Sequence, residues 1–173
     1  MSIYPFTEQE FQTAVVEWGC NCGPSALAFA ARCSLDRARA AIEGFDEKRY
    51  TSPSMMRSAL GKLGATFRVV RPVNKASLCG ENRFDLVRVQ WLGPWTAPGA
   101  NPRWAYRYTH WVVMWGNGSG AFVFDCNGGV MFYERWKHEI VPLLTSLHPR
   151  ASGEWEPTDI WRLGPAPSDG GVA

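Results

Sequence analysis

The chain has 173 residues, 46% of them apolar, and a formal net charge of +2. Such a length suits one domain with a real core. The charge is too small, and the arginines are too scattered along the chain, for a nucleic-acid or membrane-surface protein. Met1–Glu10 has neither the basic start nor the apolar run of a signal peptide, and no apolar run approaches the ~18 residues of a membrane span. Five cysteines, at 20, 22, 33, 79 and 126, fit no disulfide framework. A reducing, cytoplasmic setting with free thiols is therefore expected.

In chain order, the first expected element is a helical turn around Glu8–Val16. Gly19-Cys-Asn-Cys-Gly-Pro24 then breaks the chain, and the Ala-rich run Ser25–Arg32 forms a helix. A second helix is expected over 36–43, capped by Asp36 and ended by Gly44. A third starts at Ser52-Pro53-Ser54, carries Met55, Met56, Ala59, Leu60 and Leu63 at helical spacing, and stops at Gly64. Strands follow at Thr66–Val70, Asp85–Leu92, Tyr108–Trp115, Ala121–Asp125 and Val130–Tyr133, with Gly116–Gly120 as a hairpin turn. Residues 134–147 read as helix up to Pro142, and Ile160–Leu163 as a last strand. Helices first and antiparallel strands later make an α+β fold. One domain is expected over 1–163, with a flexible tail over 164–173.

The chemistry starts at Cys22. Thiolate is the reactive form of cysteine, and a helix N-terminus favours it through its dipole and unpaired N–H groups. Those N–H groups also suit an oxyanion. The local sequence alone fits a buried, inert cysteine as well. His110 adds a base: on a strand with period two, His110, Val112 and Met114 share one face, aimed at a helix packed on the sheet. If the strands on either side of Gly116–Gly120 pair, His110 and Asp125 become neighbours. Asp125 then orients the imidazole, and the other ring nitrogen faces Cys22, as in a nucleophile, base and orienter triad.

Cys22-Gly-Pro-Ser-Ala-Leu opening a helix, the later His110-Trp-Val-Val and the strand-end Phe-Asp125 resemble papain-like cysteine peptidases. The likeness is greatest to the bacteriocin leader (double-glycine) peptidases and their compact bacterial relatives, and it covers roughly residues 12–135. The resemblance implies N-terminal helices, with the nucleophile on a buried one, packed on a C-terminal antiparallel sheet. It implies cleavage of a peptide or isopeptide bond in a protein or peptide substrate through a thioester, with no cofactor and no metal. With 21 residues before Cys22, no inhibitory pro-segment is expected. The family places a glutamine several residues before the cysteine to complete the oxyanion hole. Six residues before Cys22 stands Val16, so Gln12 and Asn21 are the candidates, Gln12 first. The family's orienter is often followed by proline; here Cys126-Asn127 follow, which makes Asn127 a rival orienter.

Rival readings use the same residues. An acyl transferase needs the same triad. A non-catalytic papain-like module, for example virion-associated in a phage particle, would keep the fold without the chemistry. Cys20, Cys22, His110 and Cys126 could hold zinc, but a second cysteine pair is missing. The long segment Gly93–Arg107, with Trp95, Trp104 and Tyr106, is either a substrate loop or a packed surface loop. Trp111 is expected to shield the His–Asp hydrogen bond, Cys20 to be a core residue, and His138 and His148 to lie on the surface. Gly170-Gly171 matches the pair that leader peptidases recognise, but reads as a flexible end. The sequence sets no oligomeric state.

Overall fold

The computed structural model describes residues 4–81 and 83–164. The expected tail and Gly170-Gly171 lie outside the described residues, apart from Gly164. Among the described residues no helix is long and apolar enough to cross a membrane.

Helix α1 runs Glu8–Trp18, one half-turn longer than expected, and begins with a capping box between Thr7 and Glu10. It stops where Gly19 turns left-handed (φ 71°). Helix α2, Cys22–Ala31, is capped by Asn21, whose side chain accepts from the Gly23 amide. Ala26, Leu27 and Ala28 are fully buried and Phe29 nearly so, so α2 is covered on all sides. Helix α3 is Leu35–Ala41, and its cap is Ser34 rather than Asp36. The Ser34 hydroxyl accepts from the Arg37 amide, which leaves Asp36 in the first turn, where a negative charge also suits the dipole. A short α4, Phe45–Lys48, leads to α5, Pro53–Lys62, which is capped by Ser52 as its sequence predicts.

One antiparallel sheet follows, in the order β1-β6-β2-β3-β4-β5. Its strands are β1 Arg68–Val69, β2 Arg83–Trp91, β3 Thr109–Asn117, β4 Gly120–Asp125, β5 Gly129–Phe132 and β6 Trp155–Arg162. The hairpin β3–β4 forms as expected, with Val113 opposite Phe124 and Asn117 opposite Gly120. Strand β6 is much longer than Ile160–Leu163. Pro157 argues against a strand there, but β1 pairs only with Trp161 and Arg162, so Pro157 has an open edge on that side. Between β2 and β3, α6 (Pro102–Ala105) lies in the long connection. After β5, a helical stretch continues past Pro142. It runs through α7 Tyr133–Arg135, a wider π-helical turn over Trp136–Ile140, and α8 Val141–Ser146. Pro142 sits in the first turn of α8, where a missing N–H removes nothing.

Both sheet faces are buried, and this sets where the site lies. Leu86, Trp111, Val113, Trp115, Phe122, Phe124 and Trp161 pack under α1–α5. Val87, Val89, Trp91, Val112, Met114, Val123 and Ile160 pack on the other face, with Trp136, Ile140, Val141 and Leu144 from the late helices. The result is helices, a sheet and helices in three layers, an α+β arrangement. An ion pair buried between strands, Arg162 to Asp85 at 2.8 and 2.9 Å, joins β6 to β2 in two parallel bonds.

Phe29 is the clamp between α2 and the sheet. Its ring stacks on Phe124 at 4.2 Å and 3°, and lies 5.7 Å from Trp115. Phe29→Ala is expected to lower stability by about 3–5 kcal/mol. The check is the urea midpoint at unchanged slope; a loss under ~1 kcal/mol would mean that α2 is not held this way.

Candidate active site

The start of α2 is built to hold one thiol in place. Asn21 uses its side-chain carbonyl on the Gly23 amide at 3.1 Å, and its amide on the backbone carbonyl of Arg49 at 3.1 Å. The Arg49 guanidinium in turn donates to the carbonyl of Trp18 at the end of α1. Ser25 adds its hydroxyl to the carbonyl of Asn21 at 2.8 Å. Gly23 has to be glycine: a Cβ there would stand 2.1 Å from the hydroxyl of Thr51. The loop 18–25 is therefore pinned from α1, from residues 49–51 and from within α2. Cys22, half-buried, opens the helix.

His110 and Asp125 meet as the hairpin predicts, and the register says why. With Val113 opposite Phe124, Asp125 falls beside Val112, two residues from His110 on the same face. His110 Nε2 and Asp125 Oδ2 are 2.9 Å apart. Trp136 Nε1 donates to the same oxygen at 2.8 Å. Oδ1 accepts from both the backbone amide and the side-chain amide of Asn127, each at 2.9 Å. Asn127 is therefore not the group that orients His110; it holds the carboxylate that does.

The face differs from the expected one. His110 does not point into the layer that contains α2. It shares the far face with Val112 and Met114, where Trp91 stacks on its ring at 6.0 Å and 24°. Cys22 belongs to the near layer and meets His110 at the beginning of β3. There the His110 ring and the backbone amide of Trp111 are near enough to favour its thiolate. Nε2 is used by Asp125, so Nδ1 is left for the thiol. Trp111 is not the shield either: it lies on the near face, and its indole donates to the carbonyl of Thr51 at 2.9 Å. Trp91 and Trp136 cover the His–Asp pair instead.

The electrostatics follow from burial and partners. Burial pushes the Cys22 thiol up, but the His110 charge, the His110 hydrogen bond and the Trp111 amide bring it below its ordinary value. Burial would lower His110, yet Asp125 and Cys22 on either side hold it well above the usual imidazole range. Asp125 would rise on burial, but His110 and the bonds from Asn127 and Trp136 bring it down to about 2. The three charges alternate in sign, and each favours its neighbour's ionised form. Cys20 is a core residue as expected; burial and the Cys22 charge push it up to about 12.

A cavity of about 970 Å³ opens beside Cys22 and His110, walled by Tyr4, Phe6 and Phe11 on the side of α1. Gln12 and Asn21 both line it, each with one of its two amide N–H groups engaged. The Gln12 amide donates to Glu8 at 2.6 Å, and Asn21 is the helix cap. In the first turn of α2, Gly23 and Ser25 donate to Asn21 and Pro24 has no N–H, which leaves the Cys22 amide to meet an oxyanion.

The aromatic loop divides. Trp95 is buried: it stacks on Tyr108 at 3.6 Å and donates to the carbonyl of Trp91, so it anchors the loop and does not face a substrate. Trp104 and Tyr106 are 61% and 60% exposed. Tyr106 covers the buried guanidinium of Arg88 at 5.1 Å. His138 is exposed and lies 3.4 Å from Glu134; His148 is half-buried, edge-on to Tyr108.

Trp136, Trp91 and Thr51 were not legible as site residues. Trp136 comes from a different layer than its partner, with no local pattern to mark it. Trp136→Phe removes one of four donors to a buried carboxylate, and is expected to destabilise by about 2–4 kcal/mol. A carboxylate lowered from 3.8 to about 2 stabilises the fold above pH 3.8, and that contribution is lost as pH falls through about 2. Acid unfolding of Trp136→Phe should accordingly begin at higher pH than in wild type. Equal acid midpoints would show that the indole bond does not hold Asp125 ionised. Set against protein-family models, curated proteins and solved structures, the chain matches none of them.

Proposed function

We propose that this chain is a papain-like cysteine hydrolase that cleaves a peptide or isopeptide bond through a Cys22–His110–Asp125 triad. One observation carries the reading. A half-buried thiol at a helix N-terminus, an imidazole and a fully hydrogen-bonded carboxylate form one chain of contacts at the edge of a cavity.

The chemistry is that of a thiolate–imidazolium pair. Cys22 attacks a carbonyl carbon while the Cys22 amide and the α2 dipole favour the charge on oxygen. His110 Nδ1–H then protonates the leaving amine, which departs from the acyl-thioester. The neutral ring takes a proton from water, and the resulting hydroxide releases the acid and restores the thiolate pair. Asp125 keeps Nε2 protonated and offsets the imidazolium charge throughout. Hydrolysis is favoured over acyl transfer to an amine by access: Cys22 is only half-buried, and exposed Glu8 and Gln12 sit among the cavity walls, so water reaches the thioester.

The test has two parts. Alkylation of Cys22 by iodoacetamide, followed across pH, should be fast well below the ordinary thiol range. It should fall about 10²–10⁴-fold at pH 6 in His110→Ala. Incubation with a diverse peptide and ubiquitin-like conjugate mixture should release new termini with wild type and none with Cys22→Ala. Labelling that rises only near the ordinary thiol value and ignores His110 would remove the reading.

A further inference from the structure

A second thiol stands beside the triad, and the hydrolysis proposed above gives it nothing to do. Cys126 follows Asp125 directly, in the turn between β4 and β5. Its Sγ, a ring nitrogen of His110 and a carboxylate oxygen of Asp125 all lie within 4.8 Å of one another. The Cys22 charge acts on it from close by. Thiolate, imidazole and carboxylate are zinc's own ligand types. Sulfur and nitrogen donors do not suit magnesium or calcium, which take oxygen.

The geometry is close to what a metal needs. With bonds of ~2.0–2.3 Å, donors around a tetrahedral zinc stand roughly 3.5 Å apart. The His110–Asp125 pair, at 2.9 Å, has to open slightly, and Cys126, within 4.8 Å of both, has to move in, within reach of side-chain rotations. The support around the ligands is also present. Trp136 and Asn127 fix the carboxylate, as outer partners fix the ligands in metal sites. Asp125 is fully buried and His110 nearly so, which keeps competing water away.

We propose that Cys126, His110 and Asp125 bind one thiophilic divalent cation of the zinc type as its three protein ligands. This set differs from the one the cysteine spacing suggests. Cys20 is buried with its thiol against the carbonyl of Asn21 and is not part of the cluster; Asp125 takes its place. A bound cation occupies the base and the orienter together, so the loaded protein is held inactive and becomes active when the metal leaves. That consequence rests on the hydrolase reading; the metal site itself does not.

The experiment uses the whole chain, freed of metal by a chelator and then titrated with zinc chloride against a chromophoric chelator. One zinc per chain is expected, bound at least about tenfold more weakly in Cys126→Ala and in Cys126→Ser. Cys33→Ala, a buried thiol outside the cluster, should bind as wild type does. Cobalt chloride should give a thiolate-to-metal absorption band that both Cys126 variants weaken. Wild-type protein supplies a control independent of variant folding: zinc should slow alkylation of Cys126 itself, read on its peptide by mass spectrometry. Absence of stoichiometric zinc binding, equal affinity in the Cys126 variants, or unchanged alkylation would each overturn the site. The two proposals fail separately. Zinc binding with slow, His110-indifferent labelling of Cys22 removes the hydrolase and keeps the metal site; fast labelling without zinc binding does the reverse.

Discussion

The interaction on which the site depends is the saturation of one carboxylate. Asp125 is fully buried, and an isolated charge there would be expelled or neutralised by its desolvation. Four N–H donors prevent that: the His110 ring, the Trp136 indole, and the backbone and side chain of Asn127. They come from β3, from the late helix and from the turn after β4, so the carboxylate ties three elements together. The negative charge thus fixed raises the proton affinity of His110 above the usual imidazole range, and the His110 charge lowers the Cys22 thiol below its ordinary value. Remove the first charge and the order fails along the whole row.

This arrangement explains why the molecule has a third layer. The His110–Asp125 pair lies on the sheet face away from α2, so helices α1–α5 cannot shield it. The late helical stretch does so with Trp136, which covers the carboxylate and donates to it in one side chain. The nucleophile comes from the opposite layer. A thiol in the middle of α2 would face only the near side of the sheet. At the N-terminus of α2 it reaches the beginning of β3, where both faces are accessible. The pinning of residues 18–25 by Arg49, Thr51 and Ser25 is what holds the helix start at that edge.

Much of this was legible in the sequence because it rests on local rules. Cys22 at a helix start follows from Asn-Cys-Gly-Pro before an Ala-rich run. The nearness of His110 and Asp125 follows from a hairpin closed by Gly116–Gly120. The cap of α5 follows from Ser52-Pro53. What was not legible depends on layers. Period two puts His110 with Val112 and Met114, but it cannot say which face α2 covers when both faces are apolar. Trp111 is next to His110 in sequence, but in a strand adjacent residues point to opposite faces, so the shield of the His–Asp pair comes from elsewhere. Pro157 hid the first half of β6, since only the neighbouring strand's length decides whether a proline is tolerated. Asn21, an amide next to a helix start, serves as its cap.

The same packing gives the site a direction. On the loop side of Cys22, Thr51 fills the space against Gly23, Trp111 donates to the carbonyl of Thr51, and Tyr106 lies over the buried Arg88. On the α1 side the cavity is open, with Tyr4, Phe6 and Phe11 as its wall. These residues belong to the strap and first helix that precede the nucleophile. The strap is itself anchored across the sheet: the Tyr4 hydroxyl accepts from the amide of Val130 on β5, and its ring meets Phe29 and Phe124 edge-on. On the proposed function, an extended chain presented to Cys22 would lie along this aromatic wall, which is bonded to β5 and packed on β4, the strand that carries Asp125. Wall, His110 and Asp125 are set by one sheet, and only Cys22 arrives from another layer.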